Sequence, residues 1–193
     1  MRRICVFCGS KVGGDGRYRD ATERLGRLFV QRGYTLVYGG GSVGLMGVLA
    51  DVVLAGRGDV IGVIPQRLAT KELLHTGVPT MHVVASMHDR KARMEELSDA
   101  FIALPGGFGT FEETLEMITW AQLGIHRKPV GLLNVAGYFA PLVQLVEHAI
   151  AEGFIKSKHR QLIVIAEEPE TLLDQLEDHH LPVVRQWMKP EQG

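Results

Sequence analysis

Seven short apolar runs alternate with longer segments of helical periodicity along the whole of this chain. The runs are Arg3 to Cys8, Thr35 to Tyr38, Val60 to Ile64, Met81 to Val84, Ala100 to Leu104, Val130 to Leu133 and Leu162 to Ile165. Most are continuous rather than alternating in polarity. A strand apolar on both faces must be covered on both, as in a parallel sheet between two helical layers. The helical segments are Arg17 to Arg32, Leu45 to Ala55, Met87 to Ser98, Phe111 to Leu123, Phe139 to Glu152 and Pro169 to Glu177. In the first of them Ala21, Leu25, Leu28 and Phe29 share one face. The pattern predicts a Rossmann-like α/β fold, a three-layer sandwich with a central parallel sheet and helices on both faces. Crossovers in such a sheet are right-handed. Ligands bind beyond the carboxyl ends of its strands, so the loops that follow strands hold the functional residues.

The length of 193 residues fits one domain spanning 1–193, with Val183 to Gly193 expected as a frayed tail. A formal net charge of -1 offers no basic excess for nucleic acid. The apolar stretch after Arg2 and Arg3 ends at Gly9, too short for a secretory signal, and no stretch approaches a membrane span. The expectation is a cytoplasmic protein with no membrane partner. Cys5 and Cys8 form a lone C-x-x-C inside a strand rather than at a helix start. With no second ligand pair, they read as buried thiols and not as a metal or redox centre. The eight histidines fall in no H-E-x-x-H pattern, and no metal site is expected.

Three loops after strands are rich in glycine. The first is Cys8-Gly9-Ser10. The second, YGGGSVGLMG, carries Gly39, Gly40, Gly41, Gly44 and Gly47. It fits G-x-G-x-x-G, but it follows the second strand, and the acid about 20 residues on, Asp59, begins a strand instead of ending one. A dinucleotide dehydrogenase is therefore the weaker reading. Several glycines before a helix bare amides at its N-terminus, a place suited to an anion. The third loop, LPGGFGTFEE, runs from Leu104 to Glu113. Pro105, Gly106, Gly107 and Gly109 precede Thr110, a natural N-cap, and Thr110-x-x-Glu113 has the spacing of a capping box. On that reading Glu112 is the carboxylate left for ribose or water.

Two further features frame these loops. Met87, Arg90, Lys91 and Met94 share one helix face, and two cations on a core-like face are unusual. They either extend to solvent or bind phosphate at the sheet edge. The irregular 65–80 segment, with Glu72 and His75 and room for a short helix near Lys71 to Leu74, is a candidate lid. The helix from Phe111 carries apolar residues on more than one stripe, which points to a second subunit or to deep burial.

Together YGGGSVGLMG, SMHDRKARM and LPGGFGTFEE resemble the LONELY GUY family of cytokinin riboside 5′-monophosphate phosphoribohydrolases, from about Cys5 to Ile165. The resemblance implies a homodimer with its active site near the interface. It implies cleavage of N6-substituted AMP to free base and ribose 5-phosphate, without metal or cofactor. It implies that Arg90 is catalytic, together with Glu112 or Glu113. Substrate-binding positions implied by motif or loop are Gly9, Ser10, Gly40, Gly41, Gly44, Glu72, Met87, Arg90, Lys91, Pro105, Gly106, Gly107, Gly109, Thr110 and Glu112. Lys11 departs from the second serine that many relatives carry. Relatives are often labelled lysine decarboxylases, but no lysine here lies in a recognisable pyridoxal phosphate context. The alternative to an enzyme is a carrier of a nucleotide or phosphorylated cofactor, which would use the same glycine loops without needing the arginine and the acid pair.

Overall fold

The computed structural model describes residues 1–70 and 73–183. Seven parallel strands form one sheet: β1 (Arg3–Phe7), β2 (Thr35–Tyr38), β3 (Val60–Pro65), β4 (Thr80–Val84), β5 (Ala100–Ala103), β6 (Val130–Leu133) and β7 (Ile163–Ala166). Their order is β4-β3-β2-β1-β5-β6-β7. The direction of winding reverses between β1 and β5, so their carboxyl ends flank a crevice at the topological switch point. The helices are α1 (Gly16–Arg32), α2 (Gly44–Ala55), α3 (Met87–Leu97), α4 (Phe108–Leu123), α5 (Ala140–Ala151) and α6 (Pro169–Asp178).

Strand residues divide between the two faces with period two. Ile4 and Val6 of β1 pack with Leu25 and Phe29 of α1, Leu49 and Val53 of α2 and Leu172 of α6. Cys5 and Phe7 face the other way, against Met94 and Leu97 of α3 and Met117 of α4. Ala103, Leu132 and Phe139 continue that second layer toward α5. Burying each large apolar side chain contributes about 1.5–3 kcal/mol. Both thiols are buried, as expected, and burial first of all drives their pKa values up.

One expectation is corrected. Helix α4 begins at Phe108 with Gly107 as its N-cap, so Thr110 and Glu113 form no capping box. Thr110 lies inside the first turn and is buried, as is Glu113. The described residues of the 65–80 segment are tied to the sheet edge. The segment begins with a 3₁₀ turn over Gln66–Leu68. It then pairs with the second glycine loop: Ser42 N donates to Leu73 O at 2.8 Å and His75 N to Gly40 O at 3.0 Å. Glu72, Lys71 and the tail from 184 lie outside the described residues.

Candidate functional site

Glycine-rich loops after β1, β2 and β5 meet at the switch point. Gly9 N donates to Pro105 O at 3.0 Å, and Leu45 N donates to Gly9 O at 2.9 Å. Gly106 is required by crowding. A Cβ there would collide with Thr110 Oγ1 and lie 2.8 Å from Gly9 N. The first turn of α4 therefore follows directly on this contact, and its leading amides lack helical acceptors. Gly107 and Gly109 have open space where a side chain would stand. Between the loops lies a cavity of about 310 Å³, walled by Ser10, Lys11, Tyr18, Gly106, Gly107 and Tyr138 among others. That is at the small end of the usual range for ligand sites, about 300–1,000 Å³.

A charged cluster lies at the same sheet edge on the α3–α4 side. Ser86 caps α3, its hydroxyl accepting from Asp89 N at 3.1 Å. One turn in, Arg90 Nε donates to Val63 O at the end of β3, at 3.1 Å. Arg90 Nη1 stands 3.0 Å from Glu113 Oε1, with side-chain exposures of 11% and 8%. Arg90 also fills the space beside Gly39, where any Cβ would collide with Nη2. Arg90 is thus not a solvent-seeking side chain; it ties α3 to α4 beneath the second glycine loop. Burial raises the pKa of Glu113; Arg90 opposes this and Glu112 reinforces it. A buried carboxyl with a raised pKa beside a fixed guanidinium suits proton transfer.

Lys91 is buried as well. Its ammonium pairs with Glu112 and lies 3.0 Å from Glu116 Oε2. Burial works against its charge, but the two carboxylates outweigh that and raise its pKa. Glu112 itself is half exposed, at 53%.

Of the residues singled out from sequence, Gly9, Ser10, Pro105, Gly106 and Gly107 line the cavity. Gly44 packs against Ser10, and Gly40 and Gly41 hold the 65–80 segment. Met87 is exposed at the start of α3, with its sulfur 3.9 Å from Arg90 Nη1. Arg90, Lys91, Glu112 and Glu113 converge with one another but do not line the cavity. The two parts are joined through the β5–α4 loop and Thr110. Tyr18, Tyr138 and Glu116 were missed. Glu116 had a signal, its i, i+4 spacing from Glu112, and Tyr138 follows a strand end. Among the described residues no group of three or more His, Cys, Asp or Glu could hold a metal ion. No described helix is long and apolar enough to cross a membrane.

Comparison with known proteins places this geometry in context. A family model described as "Possible lysine decarboxylase" matches residues 46–176. The probable cytokinin riboside 5′-monophosphate phosphoribohydrolase LOGL1 of Oryza sativa subsp. japonica is 56% identical over 177 residues, covering 92% of this chain and 79% of its own. The cytokinin riboside 5′-monophosphate phosphoribohydrolase LOG1 of Arabidopsis thaliana is 53% identical over 179 residues, covering 93% and 84%. Among solved structures, the molybdenum cofactor binding protein of Rippkaea orientalis superposes with a TM-score of 0.69 at 22% identity, covering 91% of this chain and 95% of that one. The Moco carrier protein of Chlamydomonas reinhardtii gives 0.68 at 21% identity, covering 91% and 97%. At those identities the solved structures speak for the fold alone. The glycine loops, the Arg90–Glu113 pair and relatives sharing half of all residues agree: the chain belongs to the LOG family of cytokinin riboside 5′-monophosphate phosphoribohydrolases.

Proposed function

We propose that this chain hydrolyses the N-glycosidic bond of adenosine 5′-monophosphates, N6-substituted ones included, releasing free base and ribose 5-phosphate. The observation that carries the reading is the buried Arg90–Glu113 pair at the same sheet edge as amide-baring glycine loops. In this reading the amides that open α4, with Gly106 and Gly107 before them, hold the 5′-phosphate. As the bond from C1′ to the base lengthens, positive charge grows on the ribose. Ionised Glu113 stabilises that charge and takes a proton from the attacking water, whose oxygen bonds to C1′. The departing base leaves with the bond's electron pair and takes a proton from solvent water, while the proton accepted by Glu113 returns to solvent and restores the carboxylate. Arg90 stays charged throughout, so it orients Glu113 and stabilises negative charge rather than giving a proton. Lys91 holds Glu112 and Glu116. Each charge-assisted hydrogen bond supplies roughly 1.5–3 kcal/mol, against about 8–23 kcal/mol in a typical enzyme. Positioning by the phosphate must therefore supply a large share.

The working assembly in this proposal is a homodimer. Helix α5 has no fully buried residue despite its apolar sequence. Leu145 and Phe154 are exposed by 62% and 87%, and Leu115, Ile118, Leu142 and Val146 line an apolar groove between α4 and α5. Exposed apolar surface of this kind marks an interface.

The test is incubation with a panel of AMP, N6-isopentenyl-AMP, the matching nucleosides and the triphosphates, followed by chromatography. Base released from monophosphates alone supports the reading. No base from any of them, or equal release from nucleosides, overturns it.

A further inference from the structure

A turn after β6 carries an aromatic residue into the phosphate loop. Asn134 to Tyr138 is tightly tied. Asn134 N donates to Ala166 O at 2.8 Å, Tyr138 N to Val135 O at 3.0 Å, and Phe139 N to Asn134 Oδ1 at 2.7 Å. Within it Ala136 has φ 54° and Gly137 φ 73°, both left-handed. An alanine held there costs about 1–2 kcal/mol, and strain of that kind gathers where a side chain must be aimed. The side chain aimed is Tyr138. Its ring meets Tyr18 edge-on at 5.7 Å, Phe139 edge-on at 5.1 Å and Phe111 nearly parallel at 6.4 Å. So fixed, its hydroxyl donates to the carbonyl oxygen of Gly106.

That contact has a consequence for the neighbouring amide. In a trans peptide the carbonyl and the following N–H point in opposite directions. Holding Gly106 O against Tyr138 turns the Gly107 N–H to the other side of the peptide plane. The preceding peptide is pinned likewise, through Pro105 O and Gly9 N. Glycines have little steric resistance to a peptide flip. A flipped Gly106–Gly107 peptide would set a carbonyl oxygen where an anion must sit.

We propose that Tyr138 is a positioning residue that locks the Gly106–Gly107 peptide in its anion-accepting orientation, and so sets affinity for the 5′-phosphate. The inference rests on the hydrolase reading for its substrate, but phosphate binding tests it apart from turnover. Tyr138→Phe keeps the ring and its three aromatic contacts and removes the hydroxyl. Calorimetry with ribose 5-phosphate should show binding about five- to tenfold weaker, the scale of one neutral hydrogen bond. KM for the monophosphate should rise by a similar factor while kcat falls less, and affinity for free adenine should hold. The melting temperature reports any general damage to the fold, and Tyr138→Trp, which cannot place a hydroxyl, should not restore phosphate binding. Unchanged ribose 5-phosphate affinity in Tyr138→Phe overturns the proposal. So does an equal loss for phosphate and adenine. Wild-type protein that binds ribose 5-phosphate but releases no base refutes the hydrolase reading and leaves the Tyr138 comparison intact.

Discussion

Replacing Glu113 by glutamine should cut turnover steeply while leaving the fold as stable at neutral pH, or slightly more so. Two effects oppose each other. Arg90 loses its counter-charge, and breaking a buried pair outright costs about 3–5 kcal/mol. Against that, glutamine has the same shape, retains an acceptor for Arg90 Nη1, and carries no charge to desolvate. Val63 O, at 3.1 Å from Arg90 Nε, also remains. The direction of the Glu113 pKa decides between them. It is raised, burial being the largest cause and Arg90 only a partial offset. The native state therefore holds the carboxyl proton more tightly than the unfolded chain does. The stability this confers is full below the ordinary carboxylate range and is lost as pH rises through the folded pKa. Each tenfold change in acidity is worth about 1.4 kcal/mol. Glutamine has no such loss. The melting temperature of the variant minus that of wild type should climb as pH leaves the acid range, then level off. Base release from N6-isopentenyl-AMP, followed by chromatography, should fall by about 10²–10⁴-fold, the usual contribution of a positioned acid or base. Wild-type turnover in the variant would refute the assignment. A stability deficit that widens with rising pH would refute the electrostatic argument.

Gly106→Ala should lower kcat/KM by roughly 100-fold, the cost of a small misplacement at a reacting site, because its Cβ meets Thr110 Oγ1 and Gly9 N; steady-state kinetics on the monophosphate check this. Lys91→Met should destabilise the fold in urea unfolding by about 1–2 kcal/mol, less than a fully buried pair would cost because Glu112 is half exposed, since Glu112 and Glu116 lose the ammonium between them. His126 is buried with its pKa pushed down to about 4, mainly by burial. Its neutral form is favoured on folding, so its contribution is full above the unfolded histidine range and is lost as pH falls from about 6.5 to 4. His126→Gln should flatten that part of the stability profile, by roughly 3 kcal/mol. Leu145→Asp should give a monomer in sedimentation at concentrations where wild type is a dimer; a monomeric wild type would remove the proposed assembly.

The sheet was legible because a parallel strand buried on both faces leaves a continuous apolar run. All seven runs became strands, with ends shifted by one residue or so. The start of α4 was not legible. Gly107-Phe108-Gly109 reads as loop by propensity, yet Gly107 caps the helix and the next two residues enter it. That shift removes Thr110 from the cap and frees Glu113 to meet Arg90. The oddity of Arg90 and Lys91 on a core-like face was visible in the sequence, but their partners were not. Those partners lie on the next helix, and spacing within one helix says nothing about the register between two. The part Tyr138 plays was hidden for a different reason, although its place after a strand end was visible. Its reach depends on a left-handed alanine, a conformation that propensity argues against.

The description "Possible lysine decarboxylase" invites a chemical comparison with the one lysine buried among the described residues. A lysine that forms a Schiff base must present a neutral amine, and proteins achieve this by desolvation or by a neighbouring cation. Lys91 has the desolvation but the opposite neighbours. Two carboxylates flank its ammonium, and their attraction exceeds the burial penalty, so its pKa is raised. Removing that proton would leave Glu112 and Glu116 facing each other and Glu113 without a compensating cation apart from Arg90. The cluster therefore favours the charged form of Lys91. A charged Lys91 pairs with Glu112 and Glu116 of α4, the helix from which Glu113 meets Arg90. In the proposed mechanism the lysine is an electrostatic tie on the helix that carries Glu113, and its two carboxylate partners leave it unsuited to act as an amine nucleophile.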